Sequence, residues 1–140
     1  MGLDGSAKMS KSLGNTIMLS ATEDETAKLI KKAKTDGQRE ITYEPETRAE
    51  VANLLRIISL CTGEEPEAIA NNIGNGGGGM LKDCLTEALN KELRPLREKR
   101  AELEKDPEYI RKVLKQGVEQ AREMAQKTLM EVRHVMNMEI

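Results

Sequence analysis

Two lysines three positions apart, Lys8 and Lys11, stand in a stretch of small and hydroxylated residues running from Gly2 to Asn15. Their ammonium groups can converge on one anion, and Ser10 and Ser12 add hydroxyl donors beside them. Gly5 and Gly14 let the backbone turn sharply on either side. Such a set suits the holding of a polyphosphate while charge moves along it. A Lys-, Ser- and Gly-rich segment is, on composition alone, also what a solvated loop looks like.

Other chemistries find little support. Cys61 and Cys84 stand singly, without the spacing of a metal knuckle, and read as buried reduced thiols. His134 is the one histidine, near the C-terminus, and is read as a surface or half-buried residue. Glu98, Glu102 and Glu104 interleave with Lys99, Arg100 and Lys105, the pattern of side-chain pairing on an exposed helix rather than of a carboxylate dyad. No metal-ligand spacing occurs, so no metal site is expected.

The chain has 140 residues, 33% of them charged and 38% hydrophobic, which is one domain's worth of folded protein. A formal net charge of −2 gives no global field for nucleic acid, so any RNA contact must come from a local patch. Lys28 to Lys34 and Arg94 to Arg100 are the best basic runs. Tyr43 and Tyr109 are the only aromatics, which argues against a single-strand binder that stacks bases on aromatic platforms. No apolar run approaches the ~20 residues of a membrane span, and residues 1–15 are too polar for a signal peptide. A cytoplasmic protein without membrane partners is expected.

Helices must carry the rest. Thr22-Glu23-Asp24-Glu25 is a capping-box pattern opening a helix to about Lys34. A second helix is predicted from about Thr47 to Cys61, apolar nearly all round and therefore central. Gly63 ends it, and Pro66 begins a short helix reaching Ile73. Gly74 to Gly79 is predicted to be loop, because ordering so many glycines is costly. A long helix follows from about Met80 to Lys105, with a kink expected at Pro95. Asp106-Pro107 restarts the chain as a last helix to about Val135, whose stripe runs through Ile110, Leu114, Val118, Ala125, Leu129 and Val132. The predicted fold class is all-α: a helical bundle preceded by a flexible loop over residues 1–16.

The string Lys8-Met9-Ser10-Lys11-Ser12, flanked by Leu3-Asp4-Gly5 and Leu13-Gly14-Asn15, resembles the KMSKS signature of class I aminoacyl-tRNA synthetases, the tryptophanyl branch in particular. Thr35 to Ile41, Asn53-Leu54-Leu55, Thr62-Gly63, the Gly-rich turn before Leu81-Lys82, Leu93 to Arg97 and Asp106-Pro107 follow in the order seen in that family. One departure is Gly76 to Gly79, where the family usually carries a bulky, often aromatic residue.

The resemblance implies an organisation: residues 1–20 as the signature loop ending a nucleotide-binding domain, and residues 21–140 as a helical anticodon-binding domain. It implies that Lys8 and Lys11 act catalytically on the phosphates of ATP, with Met9, Ser10 and Ser12 completing the ATP-binding set. ATP, with Mg, would be held mainly by a nucleotide-binding domain that this chain does not contain, since its His-x-Gly-His element needs two histidines. The implied partners are tryptophan tRNA, through its anticodon region, and that domain; the full-length enzyme would be a homodimer. The chain is thus expected to be a C-terminal portion of a longer enzyme, inactive by itself. The alternative is a non-catalytic helical RNA-binding or protein-interaction module descended from a synthetase.

Overall fold

The computed structural model describes residues 1–5 and 8–138. Its first helix, α1 (Glu23–Lys31), begins where local chemistry places it. Thr22 Oγ1 accepts the Glu25 N–H at 3.2 Å, and Glu25 Oε2 accepts the Thr22 N–H at 2.8 Å. These reciprocal bonds satisfy donors that the first helical turn leaves without partners.

Arg48 precedes α2 (Ala49–Thr62), which Gly63 ends in the left-handed region at φ +78°. This helix buries Val51, Ala52, Leu54, Leu55 and Ile58. It is less central than its sequence suggests, because Leu60 is 81% exposed. Pro66 opens α3 (Pro66–Ile73), where its missing N–H removes nothing the helix needs.

Residues Gly74 to Gly79 depart from expectation. Gly74–Gly76 form a turn of 3-10 helix, and α4 (Gly77–Leu103) already includes three glycines in its first turn. Long-range bonds offset the entropic cost of ordering them: Ile41 N–H donates to the Gly74 carbonyl at 2.8 Å, and Gly77 N–H to the Arg39 carbonyl at 2.9 Å. Gly77 sits at φ +70°, a conformation that favours glycine. At Gly78 a Cβ would come within 2.9 Å of Thr35 Oγ1. The glycines thus permit close approach of the Thr35–Ile41 segment.

The helix α4 continues through Pro95. Asp106 then accepts the Tyr109 N–H at 3.0 Å and starts α5 (Pro107–Val135), as the sequence predicts. No described residue lies in a strand, so the all-α class holds. No helix among the described residues is long and apolar enough to cross a membrane.

The chain divides into two units, residues 1–97 and 98–140. The first holds the core, in which Ile30 of α1, Leu54 and Leu55 of α2, Ile69 of α3 and Leu81 and Leu85 of α4 meet. Leu3 from the N-terminal loop belongs to the same cluster. In the second unit α5 buries none of its residues, and its stripe through Leu114, Val118 and Leu129 is exposed. Lys99–Glu102 and Arg100–Glu104 pair at 2.8 and 2.7 Å on the helix surface, as expected.

Candidate functional site

The loop bearing Lys8 and Lys11 is irregular, as expected, and it is tied down on both sides. Leu3 is buried in the core, its N–H donates to the Asn15 carbonyl at 3.0 Å, and its carbonyl accepts the Lys34 N–H at 2.7 Å. Leu13 N–H donates to the Ser10 carbonyl at 3.3 Å and Gly14 N–H to the Lys11 carbonyl at 3.2 Å, making two overlapping turns. Gly14, at φ +66°, closes the second turn in the left-handed region that favours glycine.

Lys8, Met9, Lys11 and Ser12 are exposed and Ser10 is half-buried, so the five residues proposed from sequence reach solvent on one short segment. The Ser10 and Ser12 hydroxyls are 2.9 Å apart and share a hydrogen bond. Among the described residues neither Lys8 nor Lys11 enters an ion pair. Two unneutralised ammonium groups and two hydroxyls are a fitting donor set for phosphate oxygens. Ser6 and Ala7, which complete the sequence motif, lie outside the described residues.

A second feature of the first unit is a polar cleft of about 680 Å³. Lys31 from the last turn of α1, Arg39 from the following turn, and Lys82 from α4 line it together with Gly77, Gly78 and Gly79. Lys82 Nζ donates to the Lys31 carbonyl at 3.2 Å, which ties the cation to the carbonyl end of α1. Asp36 and Asp83 also line the cleft, but Arg48 already holds the Asp36 carboxylate at 2.7 Å. The Arg48 guanidinium keeps that carboxyl below its ordinary range, with burial opposing and the Gln38 N–H assisting.

The two basic runs named from the sequence contribute unequally to this cleft. Of the run Lys28 to Lys34, Lys31 reaches the cleft, whereas Lys34 pairs with Glu50 at 2.8 Å. In the run Arg94 to Arg100, Arg97 is a structural strut: it donates to the Ala21 carbonyl, the Asn90 side chain and Thr26 Oγ1 at 2.9, 3.0 and 2.9 Å. Arg39 and Lys82 were missed because each is a lone cation, 43 positions from the other, and no local pattern joins them. Both thiols are free and half-buried rather than buried, and burial pushes Cys61 and Cys84 up from the ordinary thiol range.

The helical core with the Lys8–Lys11 loop anchored to it through Leu3 can be set beside known proteins. The profile described as "tRNA synthetases class I (W and Y)" covers residues 1–94, and the chain belongs to that family. The curated proteins it resembles include tryptophan–tRNA ligases. That of Rickettsia felis is 41% identical over 133 residues, spanning 93% of this chain and 40% of the relative. Tryptophan–tRNA ligase 1 of Streptomyces coelicolor is 43% identical over 106 residues, 76% of this chain and 31% of the relative. Among solved structures, tryptophanyl-tRNA synthetase from Campylobacter jejuni complexed with ADP and tryptophan superposes with a TM-score of 0.75 at 30% identity, over 97% of this chain and 42% of that one. The chain therefore spans roughly a third to two fifths of the length of these relatives.

Proposed function

We propose that this chain is the C-terminal portion of a tryptophan–tRNA ligase and serves ATP-dependent charging of tRNA with tryptophan. Residues 1–20 act as the signature loop at the end of a nucleotide-binding domain, and residues 21–140 as the helical domain that meets the anticodon. The observation that carries this reading is the pair Lys8 and Lys11, exposed on a pinned loop at the head of a chain with these relatives.

In this reading ATP arrives as its Mg²⁺ complex, held mainly by the nucleotide-binding domain of the whole protein. Lys8 and Lys11 close onto its phosphates, with Ser10, Ser12 and the backbone about Met9 assisting. Their charge offsets the negative charge that develops on pyrophosphate as the aminoacyl-adenylate forms. Contacts made only when the loop shuts favour the transition state over the ground state, and so raise turnover. The cleft of Lys31, Arg39 and Lys82 supports the RNA half of the proposal, since three cations on separate elements can hold backbone phosphates. The whole enzyme works in the cytoplasm as a homodimer; this chain by itself is inactive.

The test mixes the chain with a separately produced nucleotide-binding half and follows tryptophan-dependent ATP–pyrophosphate exchange. Exchange is expected only in the mixture, and Lys8→Ala or Lys11→Ala should each lower it by about 10²-fold or more. Exchange that is indifferent to replacing both lysines overturns the assignment of the loop.

A further inference from the structure

One side chain links both ends of the signature loop to its middle. Asn15 is only 4% exposed, and beside Thr26 and Arg48 it makes up the buried polar residues among those described. Its Oδ1 accepts the Ser10 N–H at 2.8 Å. Its Nδ2 donates to Asp4 Oδ1 at 3.0 Å and, more weakly, to the Lys8 carbonyl at 3.4 Å. Its backbone carbonyl takes the Leu3 N–H, so the same residue is fastened to the leg of the loop that is buried in the core.

The flank is shaped around this carboxamide. A Cβ at Gly2 would lie 2.2 Å from Asn15 Nδ2 and 2.7 Å from its Cγ, so no side chain fits at position 2 while Asn15 holds its place. The group must also be an amide. It accepts at one atom and donates at the other, and a carboxylate there would offer Asp4 repulsion in place of a donor.

We propose that Asn15 is a positioning residue for phosphate capture. By fixing the backbone at positions 8 and 10 it sets the course of the chain that presents Lys8 and Lys11, so less conformational freedom is lost when a polyphosphate binds. The proposal rests on the reading of those lysines as phosphate ligands. It assigns Asn15 and Asp4 one shared job: the amide is the clasp and the carboxylate its keeper.

The experiment titrates inorganic pyrophosphate onto the ¹⁵N-labelled chain and follows the Ser10 and Lys11 amide resonances, with thermal unfolding measured in parallel. Asn15→Ala and Asn15→Asp should each weaken pyrophosphate binding by about tenfold, since lost pre-organisation appears directly in affinity. The double variant D4N with N15D restores a donor–acceptor pair with the roles exchanged and leaves the net charge unchanged. It should return the part of the affinity that the Ser10 and position-4 bonds carry, since a carboxylate at position 15 cannot donate to the Lys8 carbonyl, while D4N alone does not exceed the wild type. The thermal midpoint should fall by only a few degrees in any of them, about what a small local loss produces.

Wild-type affinity in Asn15→Ala, or a double variant as weak as Asn15→Asp, overturns the positioning role. A Lys8→Ala/Lys11→Ala chain serves as reference. If it binds as the wild type does, the reading of the lysines fails and the role of Asn15 falls with it. If it loses binding while Asn15→Ala keeps it, only the role of Asn15 falls.

Discussion

Arg48 grips Asp36 through two parallel bonds, Nε to Oδ2 at 2.7 Å and Nη2 to Oδ1 at 2.8 Å. Its remaining terminal nitrogen donates to the Glu40 carbonyl at 2.9 Å and to Thr42 Oγ1 at 2.6 Å. One guanidinium therefore fastens the turn after α1 to the start of α2, and keeps Asp36 from neutralising the cations of the cleft. Arg48→Ala is expected to cost about 2–3 kcal/mol, below the 3–5 of a fully buried pair, because the Asp36 side chain is 34% exposed. Arg48→Lys should recover little, since an ammonium cannot make the planar two-point contact. Urea unfolding of the three proteins checks both values.

The same pair sets an acid dependence. The Asp36 carboxyl is held below its ordinary range, chiefly by its hydrogen bonds with Arg48. Its contribution to stability is thus complete above the unfolded value of about 3.9, and is lost as pH falls through the lower folded value. The stability difference between wild type and Asp36→Asn should be largest near neutrality and shrink steadily below about pH 4. Chemical unfolding repeated across that range would show it; a difference that grows on acidification contradicts the pairing.

Gly63 isolates a backbone effect. It lies at φ +78° as the left-handed end of α2, and a Cβ there would meet nothing within 4 Å. Gly63→Ala should therefore cost about 1–2 kcal/mol from conformation alone. Thermal unfolding should show a midpoint lower by several degrees with no change in ligand binding.

What the sequence revealed follows the range of the interactions. The Thr22–Glu25 box, Gly63, Pro66 and the Asp106 cap act within four residues, and each predicted its helix end to within about two positions. The Lys8–Lys11 loop was legible because its residues are contiguous. Arg48 with Asp36, and Lys31 with Arg39 and Lys82, were not legible, because folding rather than spacing brings them together. The glycines from Gly74 to Gly79 misled for a related reason. Their local cost was read correctly, but the bonds from Arg39 and Ile41 that offset it come from more than thirty residues away. Asn15 has no periodic partner, and its role shows only once Gly2, Asp4 and Ser10 surround it.

Two leucines separate apolar pattern from burial. Leu55 and Leu114 each stand on an apolar helical stripe in the sequence, yet Leu55 is fully buried and Leu114 is 63% exposed. Periodicity says which face is apolar, not what covers it. Leu55→Ala should cost about 3 kcal/mol through lost burial and the cavity it leaves. Leu114→Ala should stay within about 0.5 kcal/mol in this chain. Equal losses at the two positions in denaturant unfolding would mean that α5 is covered in solution.

The cleft makes a separate prediction about RNA. Lys31, Arg39 and Lys82 come from α1, the turn after it and α4, and no single helix presents them as a run. If they hold backbone phosphates of the tRNA, binding must weaken as salt rises, because each neutralised phosphate releases counterions. Replacing one of the three by Ala should reduce the slope of log K against log salt by about 0.7–0.9, with similar loss for any RNA sequence that docks there. Arg97→Ala offers the contrast, since its guanidinium is spent on Ala21, Asn90 and Thr26 and its loss should lower stability instead. Titrating tryptophan tRNA from low to moderate salt distinguishes the two behaviours. A slope unchanged in the triple variant would place the RNA contact on another face of the chain.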